Sequence, residues 1–100
     1  MINVLKSAQR EIEDAFEYYE SQLPGLGNDF FEEFEKATQR IIQFPEAWHP
    51  FSPNTRRCQF NRFPYGILYF VEKTNITILA VAHMHRDPNY WQGRSRKLTK

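Results

Sequence analysis

The stretch that decides the fold is Arg62-Phe63-Pro64-Tyr65-Gly66-Ile67-Leu68-Tyr69-Phe70-Val71. A short polar turn, residues 72–75, follows it and leads into a second apolar run, Ile76 to His83. Both runs are rich in β-branched and aromatic residues, which suit a pleated and packed surface, so the sequence predicts a β-hairpin. Strands that are apolar on both faces are central in a sheet and at least partly covered on both sides. We therefore expect this hairpin to form the core.

Two helices are predicted on the N-terminal side of the hairpin, after a short first strand over Ile2 to Leu5. Ser7 is the expected N-cap of the first helix, because its side-chain oxygen can accept from an unpaired amide. Apolar residues recur at helical spacing in that helix: Ala8, Ile12, Ala15, Phe16, Tyr19 and Leu23. The second helix, from Asn28 or Asp29 to Gln43, carries a similar stripe: Phe30, Phe34, Ala37, Ile41 and Phe44. The connection contains Pro24 and Gly25 and is short, which favours two antiparallel helices.

The segment from Phe44 to Asn54 contains three prolines and is predicted to be a loop. A further strand is expected over Arg56 to Asn61, with Cys58 and Phe60 on one face. The predicted order is β-α-α-β-β-β. This order indicates an α+β fold in which a three-stranded antiparallel meander carries the helices on one face.

Composition narrows the class of protein. One hundred residues are expected to form one domain, in which the basic tail, residues 93–100, is only partly ordered. A single cysteine, Cys58, excludes an internal disulfide and fits a reducing cytoplasm. The first residues are too short for a signal peptide, and no apolar run is long enough to span a bilayer. We therefore expect a cytoplasmic protein with no membrane partner.

Charge is divided unevenly along the chain. Residues 1–55 hold four Lys or Arg against ten Asp or Glu, a net charge of −6, whereas residues 56–100 hold nine against two, a net charge of +7. Such asymmetry predicts a nucleic acid or an acidic protein as partner of the basic half. The alternative is a solvated surface whose two halves attract each other.

Several side chains of the basic half could carry chemistry. His83 and His85 share one face of a strand, but two ligands do not make a metal site, so no metal and no cofactor is predicted. An imidazole beside Arg86 and Tyr90 could exchange protons with a hydroxyl or phosphate. The alternative is structural: His83 would be a hydrogen-bonded residue at the strand end and His85 a solvated one.

Cationic and aromatic side chains form the other candidate set. Guanidinium groups grip phosphate in a bidentate manner, so Arg56, Arg57 and Arg62 could converge with Arg86 on a phosphate. Alternatively, these arginines bind acidic protein. Tyr90 and Trp91 could stack on bases, or they could close the end of the core.

The motifs become more specific when they are taken together. In chain order they are Ala15-Phe16-Glu17-Tyr18-Tyr19-Glu20, Leu23-Pro24-Gly25-Leu26-Gly27, Phe30-Phe31, Phe44-Pro45, Trp48, Arg56-Arg57, Arg62-Phe63-Pro64-Tyr65, Tyr69, Ala80-Val81-Ala82-His83, Arg86-Asp87-Pro88 and Tyr90-Trp91. From Ser7 to Arg94 this pattern resembles the RelE/ParE superfamily of bacterial toxins, in particular its ParE-like plasmid stabilisation branch.

The resemblance implies the toxin of a type II toxin–antitoxin pair, neutralised by a small antitoxin that wraps its sheet and helices. ParE-like members poison DNA gyrase, whereas RelE-like members cut messenger RNA on the ribosome. The nuclease branch carries an arginine where this chain has Gly66 and further basic residues where it has Arg57, Gln59 and Met84. Its late tyrosine is matched by Tyr90.

The preferred hypothesis is therefore a ParE-like gyrase poison, and the alternative is a RelE-like, metal-independent endoribonuclease of messenger RNA. A third hypothesis is a family member that only binds its partner protein. The expected target- or nucleic-acid-binding residues are Arg56, Arg57, Arg62, Trp91 and Arg94. For a nuclease, the expected catalytic residues are His83, His85, Arg86 and Tyr90.

Overall fold

The computed structural model describes residues 2–85 and Arg94. Its elements are β1 (Ile2–Val4), α1 (Lys6–Gln22), α2 (Leu26–Gln43), β2 (His49–Ser52), β3 (Thr55–Gln59), β4 (Tyr65–Glu72) and β5 (Asn75–His83). Within these residues one sheet has the strand order β1-β5-β4-β3-β2, in which β1 runs parallel to β5 and the other neighbours are antiparallel. The predicted α+β fold is confirmed. None of the helices in this part of the chain has the length and apolar character needed to cross a bilayer.

The loop prediction was wrong over four residues, because His49–Ser52 forms β2 and extends the predicted three-stranded meander to four strands. β2 is an edge strand that is exposed throughout. An edge strand tolerates Pro50, since a proline there costs the sheet no internal hydrogen bond. Proline content therefore excluded a central strand and did not exclude an edge strand.

The starts of both helices also differ from the prediction. Leu5, not Ser7, occupies the N-cap position of α1, and no side chain caps that end. The chain enters α1 directly from β1, and the Leu5 amide still donates to the Ile78 carbonyl at 3.1 Å. α2 begins at Leu26, directly after Gly25, which has a φ of 92°. The Glu20 carboxylate stabilises this start, because it accepts from the amides of Gly25 and Gly27.

The helices pack on one face of the sheet, as predicted. Their apolar stripes are buried against inward-facing strand residues, and the main members of this core are Ala8, Ile12, Ala15, Phe30, Phe34, Ala37, Ile41, Cys58, Ile67, Tyr69, Ile78 and Val81. Leu23 and Phe44, the last members of the two predicted stripes, do not belong to the core, because α1 ends at Gln22 and α2 at Gln43 and both side chains are exposed.

A β-bulge between β4 and β5 changes which side chains face the helices. Leu68 pairs with Ala80 and Tyr69 with Ile78, so Leu79 is an extra residue without a partner in β4. Strict alternation along β5 predicts that Ile78 and Val81 point to different faces of the sheet. Because of the bulge, both side chains lie in the core that the helices cover. Leu79 and Ala80 join Leu68 and Phe70 in a second buried cluster.

Candidate functional site

Arg56 and Arg57 are neighbours on β3 and therefore point to opposite faces of the sheet. Arg56 is half-buried, and its Nη1 donates to the Trp48 carbonyl at 2.8 Å. Arg57 holds its guanidinium 5.2 Å from the centre of the Phe51 ring. The two cations are adjacent in sequence but do not form one surface.

Arg62 and Arg94 are both paired with carboxylates of the acidic helices. Arg62 Nη2 lies 3.6 Å from Asp29 Oδ2 at the start of α2, and both groups are well exposed. Arg94 Nη1 lies 3.1 Å from Glu11 Oε1 of α1 and donates to the Leu79 carbonyl at 2.9 Å. These contacts favour the alternative in which the two halves of the chain attract each other.

His83 and His85 lie together at the end of β5, with their ring centres 5.2 Å apart. The His85 amide donates to His83 Nδ1 at 3.1 Å, which leaves Nε2 as the nitrogen that could exchange a proton with a bound group. The His83 ring also contacts Tyr65 edge-on at 5.3 Å. Burial raises the pKa of Tyr65, and the nearby hydroxyls of Tyr19 and Tyr18 raise it further. Tyr65 is therefore a neutral hydrogen-bonding group and not a base.

A small cavity of about 180 Å³ opens beside His83 and Tyr65. His83 and Tyr65 line it from the sheet, and Glu11, Asp14 and Tyr18 line it from α1. No group of three or more metal-ligating side chains occurs among the residues that the structure describes. Arg86, Tyr90 and Trp91, which complete the predicted catalytic and binding sets, lie outside the described residues.

A larger groove of about 590 Å³ lies at the edge of β3, beyond the point where β2 stops pairing at Arg57. We call it the Arg40–Trp48 groove. Its lining combines cations, aromatic rings and amides: Arg40, Trp48, His49, Arg57, Gln59, Phe60 and Asn61. Arg40 Nη2 donates to the Gln59 carbonyl at 2.9 Å, and the Trp48 indole donates to the Arg40 carbonyl at 3.2 Å. These two bonds join α2, the segment before β2 and the end of β3.

An apolar groove of about 380 Å³ lies on the helices. Ile12, Phe16 and Phe31 supply its apolar lining, and Glu13 and Glu17 supply its carboxylates. Phe31 remains 40% exposed, so part of its ring is accessible in this groove.

The ParE toxin family model, described as the ParE toxin of the type II toxin–antitoxin system parDE, matches residues 2–88. The chain belongs to the ParE toxin family. It is 30% identical over 89 residues to Toxin ParE2 of Mycobacterium tuberculosis, in strains CDC 1551 / Oshkosh and H37Rv alike, covering 88% of this chain and 85% of the relative. The predicted membership of the RelE/ParE superfamily is confirmed.

Two solved structures share the fold of this ParE-family chain. A chain of the chromosomal ParDE system of Pseudomonas aeruginosa superposes with a TM-score of 0.73 at 16% identity, covering 82% of this chain and 92% of that one. The isolated Escherichia coli RelE toxin superposes with a TM-score of 0.64 at 16% identity, covering 97% of each chain.

In this ParE-family toxin, three of the four positions matched to basic residues of the nuclease branch are uncharged and adjoin one another, and the fourth, Arg57, lies beside them. Gln59 pairs with Gly66 across β3 and β4, and Gln59 Nε2 donates to Met84 Sδ at 3.3 Å. A side chain at Gly66 would place its Cβ 3.2 Å from Arg57 Cγ, so the glycine makes room for the Arg57 stem. We call Gln59, Gly66 and Met84 the uncharged patch.

Sequence reasoning missed the Arg40–Trp48 groove of the ParE-family toxin. Trp48 and His49 fell in the predicted loop, and Arg40 stood on the polar side of α2, where an arginine is ordinary. One signal was available, since a tryptophan and a histidine adjoin in a segment otherwise rich in proline. That signal did not say which elements would enclose them.

Proposed function

We propose that this ParE-family toxin arrests growth by poisoning DNA gyrase and that a cognate antitoxin neutralises it. The family match supports the general role. The uncharged patch is the observation that favours gyrase over messenger RNA. Cleavage through a 2′-hydroxyl needs a base, an acid and a cation for the charged phosphorane. Gln59, Gly66 and Met84 supply none of these groups, and Arg57 beside them supplies a cation but neither the acid nor the base.

The apolar groove on the helices supports an antitoxin that docks by an amphipathic helix. Ile12, Phe16 and Phe31 would receive the apolar side of that helix, and Glu13 and Glu17 would meet basic residues at its margin. Burial of these apolar side chains would supply the affinity, and the carboxylates would add orientation.

The experiment is to express the chain from a tightly repressed promoter without an antitoxin and to analyse the arrested cells. We expect double-strand DNA breaks and intact transcripts. In vitro, the purified toxin should increase the linear plasmid released by detergent and protease from gyrase reactions. Transcripts cut at codon boundaries, with intact DNA, would establish the RelE-like alternative. Absence of growth arrest would leave a chain that only binds its partner.

The variant His83→Gln sharpens this comparison. Gyrase poisoning needs no proton transfer by the toxin, so the variant should keep the DNA-break signal. A nuclease that uses His83 for acid–base catalysis would lose most of its activity, typically 10²-fold or more. Lys36→Gln is the control, because Lys36 is exposed on α2 and lines none of the cavities described above.

A further inference from the structure

Hydrogen bonds within the protein fix the shape of the Arg40–Trp48 groove. Its floor is held by the Arg40–Gln59 and Trp48–Arg40 hydrogen bonds, and the Arg40 guanidinium lies 5.9 Å from the centre of the Trp48 ring. Arg56 Nη1 also donates to the Trp48 carbonyl at 2.8 Å. Trp48 is therefore anchored through its own indole and carbonyl, and its position does not depend on a ligand.

Positive charge in the groove is not neutralised by the part of the chain that the structure describes. The ion pairs in that part are Arg62–Asp29 and Arg94–Glu11, and neither involves Arg40 or Arg57. Arg40 donates to the Gln59 carbonyl and also interacts with the Cys58 thiol, but a guanidinium carries five N–H donors. An anion in the groove would therefore find donors and charge that the fold has left unpaired with carboxylates.

The remaining lining favours one kind of anion. Trp48 is half-buried and packs partly against the core, and the part of its ring that remains exposed offers a stacking surface for a base. The side-chain amides of Gln59 and Asn61 can donate to and accept from base edges. The groove is open to solvent, so binding must come from charge and stacking along a strand more than from enclosure of one small molecule. An acidic peptide would use the arginines but not the ring.

We propose that the Arg40–Trp48 groove binds single-stranded nucleic acid, with a base stacked on Trp48 and backbone phosphates held by Arg40 and Arg57. The proposal does not depend on gyrase as the target, because the isolated toxin should bind. DNA and RNA share the base and the phosphate, so both are tested.

The test measures binding of fluorescein-labelled oligothymidylate and oligouridylate, each of about 12 nucleotides, to the full-length toxin by fluorescence anisotropy at several salt concentrations. Two phosphates neutralised on a single strand predict a slope of about −1.4 for log K against log salt. Arg57→Gln should reduce the steepness of that slope by about 0.7. Arg10→Gln, the same change at an exposed position of α1, should leave the slope unchanged.

Stacking is tested separately from charge. In a Trp91→Phe background Trp48 is the sole tryptophan, and its fluorescence should be quenched when the oligonucleotide binds. Trp48→Leu should bind about tenfold more weakly than Trp48→Phe, because both lose the indole hydrogen bond but only the phenylalanine keeps a ring. Circular dichroism establishes that each variant is folded, and Arg57→Gln provides the test if Trp48→Leu is not.

Binding of either oligonucleotide with this dependence on Arg57 and Trp48 supports the proposal. Equal weakening by Arg57→Gln and Arg10→Gln would overturn it, since the attraction would then be spread over the whole surface. Displacement by oligoglutamate at the same concentration as unlabelled oligothymidylate, without a change in Trp48 fluorescence, would also overturn it and would indicate an acidic protein partner.

Discussion

Single residues in this toxin hold irregular segments to the sheet and helices. Glu33 is only 4% exposed, and its Oε1 accepts from the amides of Asn61 and Arg62 at 3.0 and 2.9 Å. The Tyr69 hydroxyl donates to the Pro45 carbonyl at 2.6 Å. In each case one side chain satisfies backbone groups of a segment that has no ladder of its own, because buried polar groups need partners. The turn before β4 and the segment after α2 are thereby fixed.

Tyr69 should make stability depend on pH in the alkaline range. Burial raises the pKa of Tyr69 to about 12, the Cys58 thiol adds to the rise, and Arg56 opposes it. The unfolded chain ionises near the usual pKa of about 10, so its tyrosine loses a proton that the folded state retains. Stability is therefore complete below about pH 10 and falls by about 2–3 kcal/mol as pH rises towards 12.

Urea denaturation across this pH range would measure the effect. Tyr69→Phe should lose less stability between the two pH limits than the unaltered protein. Tyr18→Phe is the comparison, because Tyr18 is exposed and its hydroxyl is only a secondary cause of the raised pKa of Tyr19 and Tyr65, so its removal should reduce the pH dependence less than Tyr69→Phe does. Parallel curves for the unaltered protein and Tyr69→Phe would disprove this assignment.

At the scale of elements, the α1–α2 hairpin depends on a close approach of backbones. Gly27 lies in the first turn of α2 and is buried against α1. A Cβ at this position would lie 2.8 Å from the Phe16 carbonyl oxygen and 2.9 Å from Glu20 Oε1. Glu20 Oε1 is also the acceptor for the Gly27 amide. One glycine thus allows both the helix contact and the hydrogen bond that starts α2.

Gly27→Ala should destabilise the protein by about 1–3 kcal/mol, because the added methyl group forces the helices apart. In a helix without such a neighbour the same change stabilises by about 1 kcal/mol. Asn28→Ala, at the next and exposed position, is the control and should be nearly neutral. Urea denaturation of the three proteins gives the comparison, and a Gly27→Ala variant as stable as the control would refute the close approach.

The elements that periodicity could predict were those with long apolar patterns. α1, α2, β4 and β5 follow from helical spacing and from dense β-branched runs, which are local properties of the chain. β2 could not be predicted, because its four residues have no pattern and pair only through contact with β3. The bulge at Leu79 could not be predicted either. Both faces of β5 are apolar, so a shift of one residue in its pairing with β4 does not change the pattern of apolar residues.

Over the whole molecule, the acidic and basic halves are joined by specific contacts. Glu11 Oε1 accepts from Val81 at 3.0 Å, directly after the bulge, and from Arg94 at 3.1 Å. This carboxylate therefore links α1, β5 and residue 94. The Glu11 and Arg94 side chains are 15% and 22% exposed, so solvent screens their attraction less than that of a surface pair.

Glu11→Ala should lower the free energy of unfolding by about 1–3 kcal/mol, because it leaves the Val81 amide without its acceptor and Arg94 without its carboxylate. Glu11→Gln keeps an acceptor oxygen and should lose less. Glu17→Ala, an exposed position on the same helix, should change stability by less than about 0.5 kcal/mol. Urea denaturation with unchanged m-values is the appropriate measurement, and equal losses for Glu11→Ala and Glu17→Ala would contradict the link.

The candidate sites were harder to predict than the fold. Sequence placed His83 and His85 on one strand face, and the structure brings their rings together. Sequence could not foresee that Arg62 would pair with Asp29, because that contact crosses from the turn before β4 to the start of α2. The tertiary structure determines which carboxylate a long cationic side chain reaches. The charges in the sequence therefore predict that ion pairs form but not which residues form them.

The parallel pairing of β1 with β5 has a consequence for translation. Val4 lies opposite Ile78, so the first strand finds its partner only after more than 70 further residues have been polymerised. At about 5–20 residues per second, a nascent chain waits roughly 4 to 15 s between the two. A chain whose synthesis stops before β5 therefore has a first strand without its partner. Synthesis itself thus sets a delay between the emergence of β1 and the first folded toxin.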